Sequence, residues 1–112
     1  MKEIKAYVHK NRIADVIAAL KECPCWSATH AHRHHNLAIY LVKGSLVALD
    51  AGEQHYSMNI GDEVVNEYKL ELLCDDSEVD EIVAALKAAA RTGQAIAGWI
   101  TVTDLVGAIP IH

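Results

Sequence analysis

The sequence predicts an α+β domain in which two helices pack on one face of an antiparallel sheet. Three observations support this prediction: strand-like alternation near both ends, two amphipathic helical stretches, and a β-α-β order that occurs twice within 112 residues. A chain of this length forms one domain with a modest core, so oligomerisation would help its stability. Apolar residues make up 52% of the chain, which is typical of a folded protein.

The chain begins with a predicted strand and helix. Residues 3–8 alternate between apolar and polar side chains, which is the pattern of a half-buried strand. Residues 12–22 carry apolar side chains at helical spacing, and Asn11 stands where an N-cap residue is expected. Because its ring cannot continue a helix, Pro24 marks the end of this element.

The middle of the chain has a less regular pattern. Residues 26–42 are predicted to be extended, and they end in the apolar run LAIYLV. Residues 43–66 contain glycines, small residues and the turn signal Gly61-Asp62, with little helical periodicity. This stretch is predicted to form a long loop or a hairpin arm.

A second strand and helix follow the arm. Residues 68–74 alternate as a strand does. In the helix after them, Ser77 occupies the expected N-cap position and Asp80 completes a near capping box. Gly93 fits the C′ position, so the predicted helix ends just before it.

The chain is predicted to finish with a strand over residues 99–106, which is rich in β-branched side chains. Ile109 and Ile111 are candidates for a short additional edge strand, since Pro110 is tolerated at a sheet edge. The complete order predicts a ferredoxin-like βαββαβ sandwich with a long loop after the second strand. The open face of such a sheet needs a cover, and assembly into a trimer would provide one.

Charge and composition exclude several classes of function. The net charge of -5 gives no basic footprint for nucleic acid. No apolar run reaches the roughly 18 residues of a membrane span, so we expect no membrane insertion. The first ten residues lack the apolar region of a signal peptide, and the cysteine count of 3 indicates no disulfide framework. These features predict a cytoplasmic protein.

Three stretches of the chain resemble the P-II nitrogen regulatory protein family. The opening MKEIKAYVHKNRIADVIAALKE is similar to the first strand and helix of that family. KLELLCDD is similar to its third strand and the turn that follows. AARTGQAIAGWITVTDLV is similar to the end of its second helix, its nucleotide loop and its fourth strand. The resemblance covers residues 1–35 and 66–112.

The resemblance implies a homotrimer of ferredoxin-like subunits that binds adenine nucleotides in the clefts between subunits. In that family a long loop after the second strand, the T-loop, docks onto a membrane transporter, an enzyme or another regulatory protein. Residues 36–65 correspond to this loop. The implied function is signal transduction. We expect no enzymatic activity, because no nucleophile, base and orienting group can be placed together in the sequence.

The resemblance also assigns residues to the nucleotide site. They comprise one hydroxyl that meets the adenine, two third-strand residues beside the base, two histidines near the phosphates, and three residues of the loop after the second helix. In chain order these residues are Thr29, His34, His35, Glu71, Leu73, Thr92, Gly93 and Gly98.

Several cations of the family's site are replaced in this chain. The family motif TGxxGxGK reads TGQAIAGW, so Trp99 stands where the family has lysine. Two arginines of the family's last strand correspond to Pro110 and His112. Each charge-assisted hydrogen bond to a phosphate contributes about 1.5–3 kcal/mol, so ATP is predicted to bind poorly. ADP, AMP, another small ligand or no nucleotide are the alternatives, and His34 and His35 are candidates to replace part of the charge.

A histidine cluster supports a second hypothesis. His30, His32 and His34 share one face if this segment is a strand, and imidazole is a common ligand of zinc and copper. The C-x-C pair Cys23 and Cys25 is a weaker source of ligands. The alternative function is therefore a metal-binding or metal-tolerance protein of the same trimeric architecture. A solvated polar strand and a ligand- or pH-sensing cluster are the other interpretations of the histidines.

Overall fold

The computed structural model describes residues 1–24, 35–48 and 54–112. Within these ranges the elements are β1 (Lys2–His9), α1 (Ile13–Glu22), β2 (Ala38–Gly44), β3 (Gln54–Ser57), β4 (Asp62–Cys74), α2 (Val79–Ala89) and β5 (Trp99–Asp104). The predicted α+β class, with an antiparallel sheet and two helices, is confirmed, and the arrangement is compatible with a ferredoxin-like fold. No helix in the described ranges is long and apolar enough to cross a membrane.

The sheet is organised around β4. Its strand order is β2-β4-β1-β5, β3 pairs with β4 as well, and all these pairings are antiparallel. Val65 of β4 pairs with Gly44 in β2 and with Gln54 in β3, so these two strands flank β4 on opposite edges. The later part of β4 pairs with β1. This strand therefore links the helix-covered part of the sheet to an extension formed with β2 and β3.

The core lies between the sheet and the two helices. On β1 and β4, alternate residues face the helices, with Ile4 opposite Leu72 and Ala6 opposite Leu70. Burying each of the larger aliphatic side chains stabilises the fold by about 1.5–3 kcal/mol. The buried cluster consists of Ile4, Ala6, Val8, Val16, Leu20, Leu70, Leu72, Cys74, Ile82 and Leu86. Because both helices contribute to this one cluster, they pack on the same face of the sheet.

A 3₁₀ turn, Lys10–Arg12, leads directly into α1. Asn11 lies inside this turn, so its predicted role as the N-cap of the first helix is wrong. Arg12 has a structural role instead, because its Nε and Nη2 atoms donate to the carbonyl oxygen of Ala89 at 3.1 and 2.8 Å. This contact ties the start of α1 to the end of α2 and satisfies a terminal carbonyl of that helix.

A second 3₁₀ turn, Asp76–Glu78, precedes α2 and moves its capping residues upstream. Asp75 and Glu78 form the capping box, in which Asp75 N–H donates to Glu78 Oε1 at 3.0 Å. The predicted pair, Ser77 and Asp80, does not form it. In both pairs the two residues are three positions apart. Glu78 has a longer side chain than Asp80, and its carboxylate reaches back to the N–H of Asp75.

The arm contains a β-hairpin. Gly61 has a φ of 75°, and its N–H donates to the carbonyl oxygen of Ser57 at 2.7 Å. The turn expected at Gly61-Asp62 is therefore present, and it joins β3 to β4. Strand β4 begins at Asp62, whereas the sequence pattern predicted its start at residue 68.

The last strand is shorter than predicted and is not followed by another. β5 ends at Asp104, which pairs with Lys2, and residues 105–112 contain no strand. The additional edge strand expected at Ile109 and Ile111 is therefore wrong. These two side chains are 91% and 100% exposed, so no described element covers them.

Candidate functional site

A cavity of about 500 Å³ lies at the C-terminal end of α2. It is enclosed by the loop of residues 90–98, by the last turn of α2, and by facing residues of β1 and β5. This loop is the segment that resembles a nucleotide loop, and it returns the chain from the helix to the edge strand β5. The cavity is therefore shaped by backbone and helix-end groups, which are suited to binding a small polar ligand.

Two glycines give the cavity loop its path. Gly93 has a φ of 88°, a left-handed conformation that glycine adopts without strain. Gly98 lies against the carbonyl oxygen of Tyr7, so closely that a Cβ atom would collide with the backbone of β1. Gly93 and Gly98 both line the cavity, as does Thr92. The structure thus brings these three predicted site residues together.

Lys87 and Arg91 give the cavity a positive charge. Lys87 is in the last turn of α2, Arg91 lies two residues beyond the end of that helix, and both line the cavity. None of its described lining residues is acidic, and neither cation forms an ion pair with another residue of the described ranges. Neither was predicted as a site residue, because basic residues at a helix end are sufficiently explained by the helix dipole. Arg91 lies beyond the last residue of α2, so the sequence pattern did not show that both cations would border one cavity.

Two aromatic residues lie where the cavity meets the sheet. Trp99 of β5 pairs with Tyr7 of β1, and both line the cavity. The strand register places both side chains on the sheet face opposite the helices, and Trp99 is 59% exposed. The residue that replaces the lysine of the P-II motif therefore borders this cavity and adds no charge to it.

Gln94 connects the cavity loop to the segment that follows β2. Its Nε2 atom donates to the carbonyl oxygen of Val47 at 2.9 Å and to that of Ala48 at 3.4 Å. Its Oε1 atom accepts from Thr92 Oγ1 at 2.8 Å, and its backbone N–H donates to the same hydroxyl at 3.3 Å. Nothing in the sequence predicted this contact, because the partners lie 47 and 46 residues apart.

Glu71 and Leu73 do not line the cavity. Glu71 belongs to a polar cluster on the sheet face opposite the helices, where Lys69 Nζ lies 3.1 Å from its Oε1 atom. A hydrogen bond from Tyr40, together with Lys69, lowers the pKa of the Glu71 carboxyl. Lys69 also lies 5.6 Å from the ring centre of Tyr7, so the Tyr7 ring belongs to the same cluster on this face.

His35 lies at the other end of α2. Its Nε2 atom is 3.1 Å from Glu78 Oε2, and its carbonyl oxygen accepts from Leu73 N–H at 2.7 Å. Glu78 and Lys87 are separated by roughly 14 Å along the helix, at 1.5 Å per residue. A single subunit therefore does not bring His35 and the cavity loop together. A site that contains both would need His35 from one subunit and the cavity loop from another.

The remaining predicted ligands fall outside the described residues. Thr29, His30, His32, His34 and Cys25 all lie in residues 25–34. In the part of the chain that is described, no three His, Cys, Asp or Glu residues are grouped as a metal site would require. The metal-binding hypothesis, with zinc or copper as the ion, stays a prediction.

Comparison of the chain with protein-family models finds no matching family, and comparison with curated proteins finds no significant match.

Proposed function

We propose that the chain is a P-II-like signalling protein that works in the cytoplasm as a homotrimer and binds an adenine nucleotide, ADP or AMP. The cavity at the end of α2 is the observation that carries this proposal. It combines two cations and a glycine-shaped loop in a chain with a net charge of -5. A local positive site in an acidic protein favours an anionic ligand.

The cations of the cavity favour a nucleotide with few phosphates. Lys87 and Arg91 can pair with a mono- or diphosphate, while a triphosphate adds charge for which the cavity holds no further described cation. ATP is accordingly the weakest of the three adenine nucleotides in this proposal.

The sheet face opposite the helices supports assembly into a trimer. It carries Tyr7, Tyr40 and Trp99, of which the last two are 38% and 59% exposed. Aromatic rings are common at contacts between subunits, because each buries a large surface with little loss of side-chain freedom. In a trimer this face is covered, and the end of one subunit that carries His35 meets the cavity of another.

The arm supports an interaction with a protein partner. Val47, Tyr56, Met58 and Ile60 are all more than half exposed and all belong to residues 36–65. Apolar side chains grouped on a projecting segment are typical of a docking surface. We propose that this segment engages a membrane transporter or another regulatory protein, and that the nucleotide controls the engagement.

The test measures nucleotide binding by calorimetry and by the shift in Tm, using ADP, AMP and ATP. Wild-type protein is expected to bind ADP or AMP at least tenfold more tightly than ATP. Lys87→Gln and Arg91→Gln should each weaken ADP binding about tenfold, the loss typical of one charge-assisted hydrogen bond. Lys21→Gln is the matched control, since Lys21 is an exposed helical cation that does not line the cavity.

Two results would contradict the proposal. If none of the three nucleotides binds, the proposed effector is wrong. If light scattering gives the mass of a monomer, the proposed site between subunits cannot form. Equal losses in Lys21→Gln and Lys87→Gln would show that binding follows net charge and does not use the cavity.

A further inference from the structure

The side chain of Gln94 is held in one orientation by its neighbours. The carbonyl oxygens of Val47 and Ala48 can only accept hydrogen bonds, so the Gln94 amide nitrogen must face them. Its amide oxygen then faces Thr92, whose hydroxyl donates to it at 2.8 Å. The cavity loop and the segment after β2 therefore share one ordered hydrogen-bond chain.

Residues 45–48 are held at two points. On one side, Leu46 N–H donates to Glu67 Oε2 of β4 at 3.3 Å. On the other, Gln94 binds the next two carbonyl groups from the cavity loop. Val47 itself is 68% exposed, so these polar contacts, rather than burial of its side chain, set its position. Losing either contact would let the segment move.

We propose that Gln94 is a positioning residue that couples occupancy of the cavity to the release of residues 45–48. This inference rests on the proposed function, because it assumes that the cavity takes an anionic ligand. Thr92 and Gln94 both line the cavity, and both carry hydrogen-bond donors that an anion can accept. An anion in the cavity draws these donors away from the arm, and Val47 and Ala48 lose their partner.

The direction of the effect follows from the strengths of the competing bonds. A hydrogen bond to a charged oxygen is about twice as strong as one to a neutral carbonyl. The Gln94 amide therefore donates to the anion in preference to the carbonyl groups of Val47 and Ala48. The two states of residues 45–48 then differ in ligand affinity, which is what coupling between two sites requires. Linkage also makes the effect reciprocal: a partner that binds the released segment strengthens binding of the anion.

The first experiment needs no ligand. Hydrogen–deuterium exchange of peptides covering residues 45–48 is compared in wild type, Gln94→Ala and Gln54→Ala. Gln94→Ala should speed exchange there about tenfold, as the loss of these contacts predicts. Gln54→Ala is the matched control, an exposed glutamine in β3 that does not line the cavity, and it should match wild type. Equal exchange in wild type and Gln94→Ala overturns the proposal.

The second experiment adds ADP as the probe. In wild type, saturating ADP should speed exchange of residues 45–48, and in Gln94→Ala it should add nothing further. ADP that binds and leaves exchange unchanged, or slows it, overturns the coupling. Core peptides of β1 and α1 should exchange alike in all samples, which verifies that each variant is folded.

Failure of ADP to bind would contradict the proposed effector, and the coupling is then tested by Gly98→Ala. Its Cβ atom would collide with the Tyr7 carbonyl and displace the cavity loop without a ligand. Faster exchange of residues 45–48 in this variant, absent when Gln94→Ala is already present, supports the coupling. No change in residues 45–48 in Gly98→Ala overturns it.

Discussion

The carboxylate of Glu67 lies against Gly44 and fills the space that a Cβ atom at that position would need. Gly44 is the last residue of β2, and Glu67 is on the neighbouring strand β4, one of the few charged residues that are almost fully buried, at 4% exposure. Its Oε2 atom accepts from Leu46 N–H, which brings the chain back over the carboxylate. Glycine is favoured here because it leaves room for the carboxylate, and not because of its backbone angles, since its φ is not in the left-handed region.

Substitution of Gly44 by alanine should therefore destabilise the protein. The added methyl group overlaps the Glu67 carboxylate, which must move and give up its hydrogen bond from Leu46 N–H, at a cost of about 0.5–1.5 kcal/mol. The free energy of unfolding in urea measures the effect. Gly107→Ala is the control, because a Cβ atom there meets nothing within 4 Å, and it should change stability by less than about 0.5 kcal/mol. Equal effects of the two substitutions would contradict this account.

Glu67 should also make stability depend on pH. Burial raises the pKa of its carboxyl above the ordinary value of 4.5, opposed by the hydrogen bond from Leu46 and by the charge of His9. A raised native pKa means that this contribution to stability is complete below the ordinary value and is lost as pH rises through the native one. Glu67→Gln keeps an acceptor for Leu46 N–H and loses the titration, so its stability relative to wild type should grow from pH 4 to pH 7.

Urea unfolding at several pH values checks this prediction. Glu22→Gln, at the exposed end of α1, is the control and should differ from wild type by a small amount that hardly varies with pH. An advantage of Glu67→Gln that stays constant between pH 4 and pH 7, or that shrinks as pH rises, would contradict the assigned direction.

The elements with apolar periodicity were predictable from sequence. The alternation in β1 and β4 identified Ile4 and Leu72 as core residues, because only one register buries both sets of alternate side chains. β3 was not predictable in this way. Its four residues, QHYS, have no apolar alternation, and their strand geometry follows from pairing with β4 across the turn at Gly61.

The candidate site was predictable where it depends on local backbone. Gly93 and Gly98 were assigned through the resemblance to the P-II loop, and the structure shows a left-handed turn at the first and a close backbone approach at the second, both of which require glycine. Arg91 and Gln94 could not, because their significance depends on what the fold places opposite them. The sequence shows that residue 94 is a glutamine, but it does not show that Val47 is its hydrogen-bond partner. That pairing depends on the path of the chain after β2.

Cys74 should be unreactive in the native protein. Burial, with the nearby carboxylates of Glu78 and Asp75, raises the pKa of its thiol from 9.0 to about 11. Since the thiolate is the reactive form, a disulfide reagent at pH 8 should label the same number of thiols in native wild type and native Cys74→Ser. In urea, wild type should show one more reactive thiol than the variant. Loss of a rapidly reacting thiol in native Cys74→Ser would show that the residue is accessible.

Glu78 holds two groups at the start of α2, so its removal should be costly. Its Oε1 atom accepts from Asp75 N–H, and its Oε2 atom lies 3.1 Å from Nε2 of the buried His35. Glu78→Ala removes both partners and should lower the free energy of unfolding by about 1–3 kcal/mol. Glu78→Gln retains a side-chain oxygen for the Asp75 N–H and should lose less.

Glu81→Ala provides the control for the charge of Glu78. Glu81 is an exposed acid in the first turn of α2, so it has the same favourable position in the helix dipole without these two contacts. Its removal should cost about 0.3–1 kcal/mol. If Glu81→Ala and Glu78→Ala lowered stability equally in urea unfolding, the dipole alone would account for Glu78. A larger loss in Glu78→Ala, partly restored in Glu78→Gln, would instead measure the capping contact that connects β4 to α2.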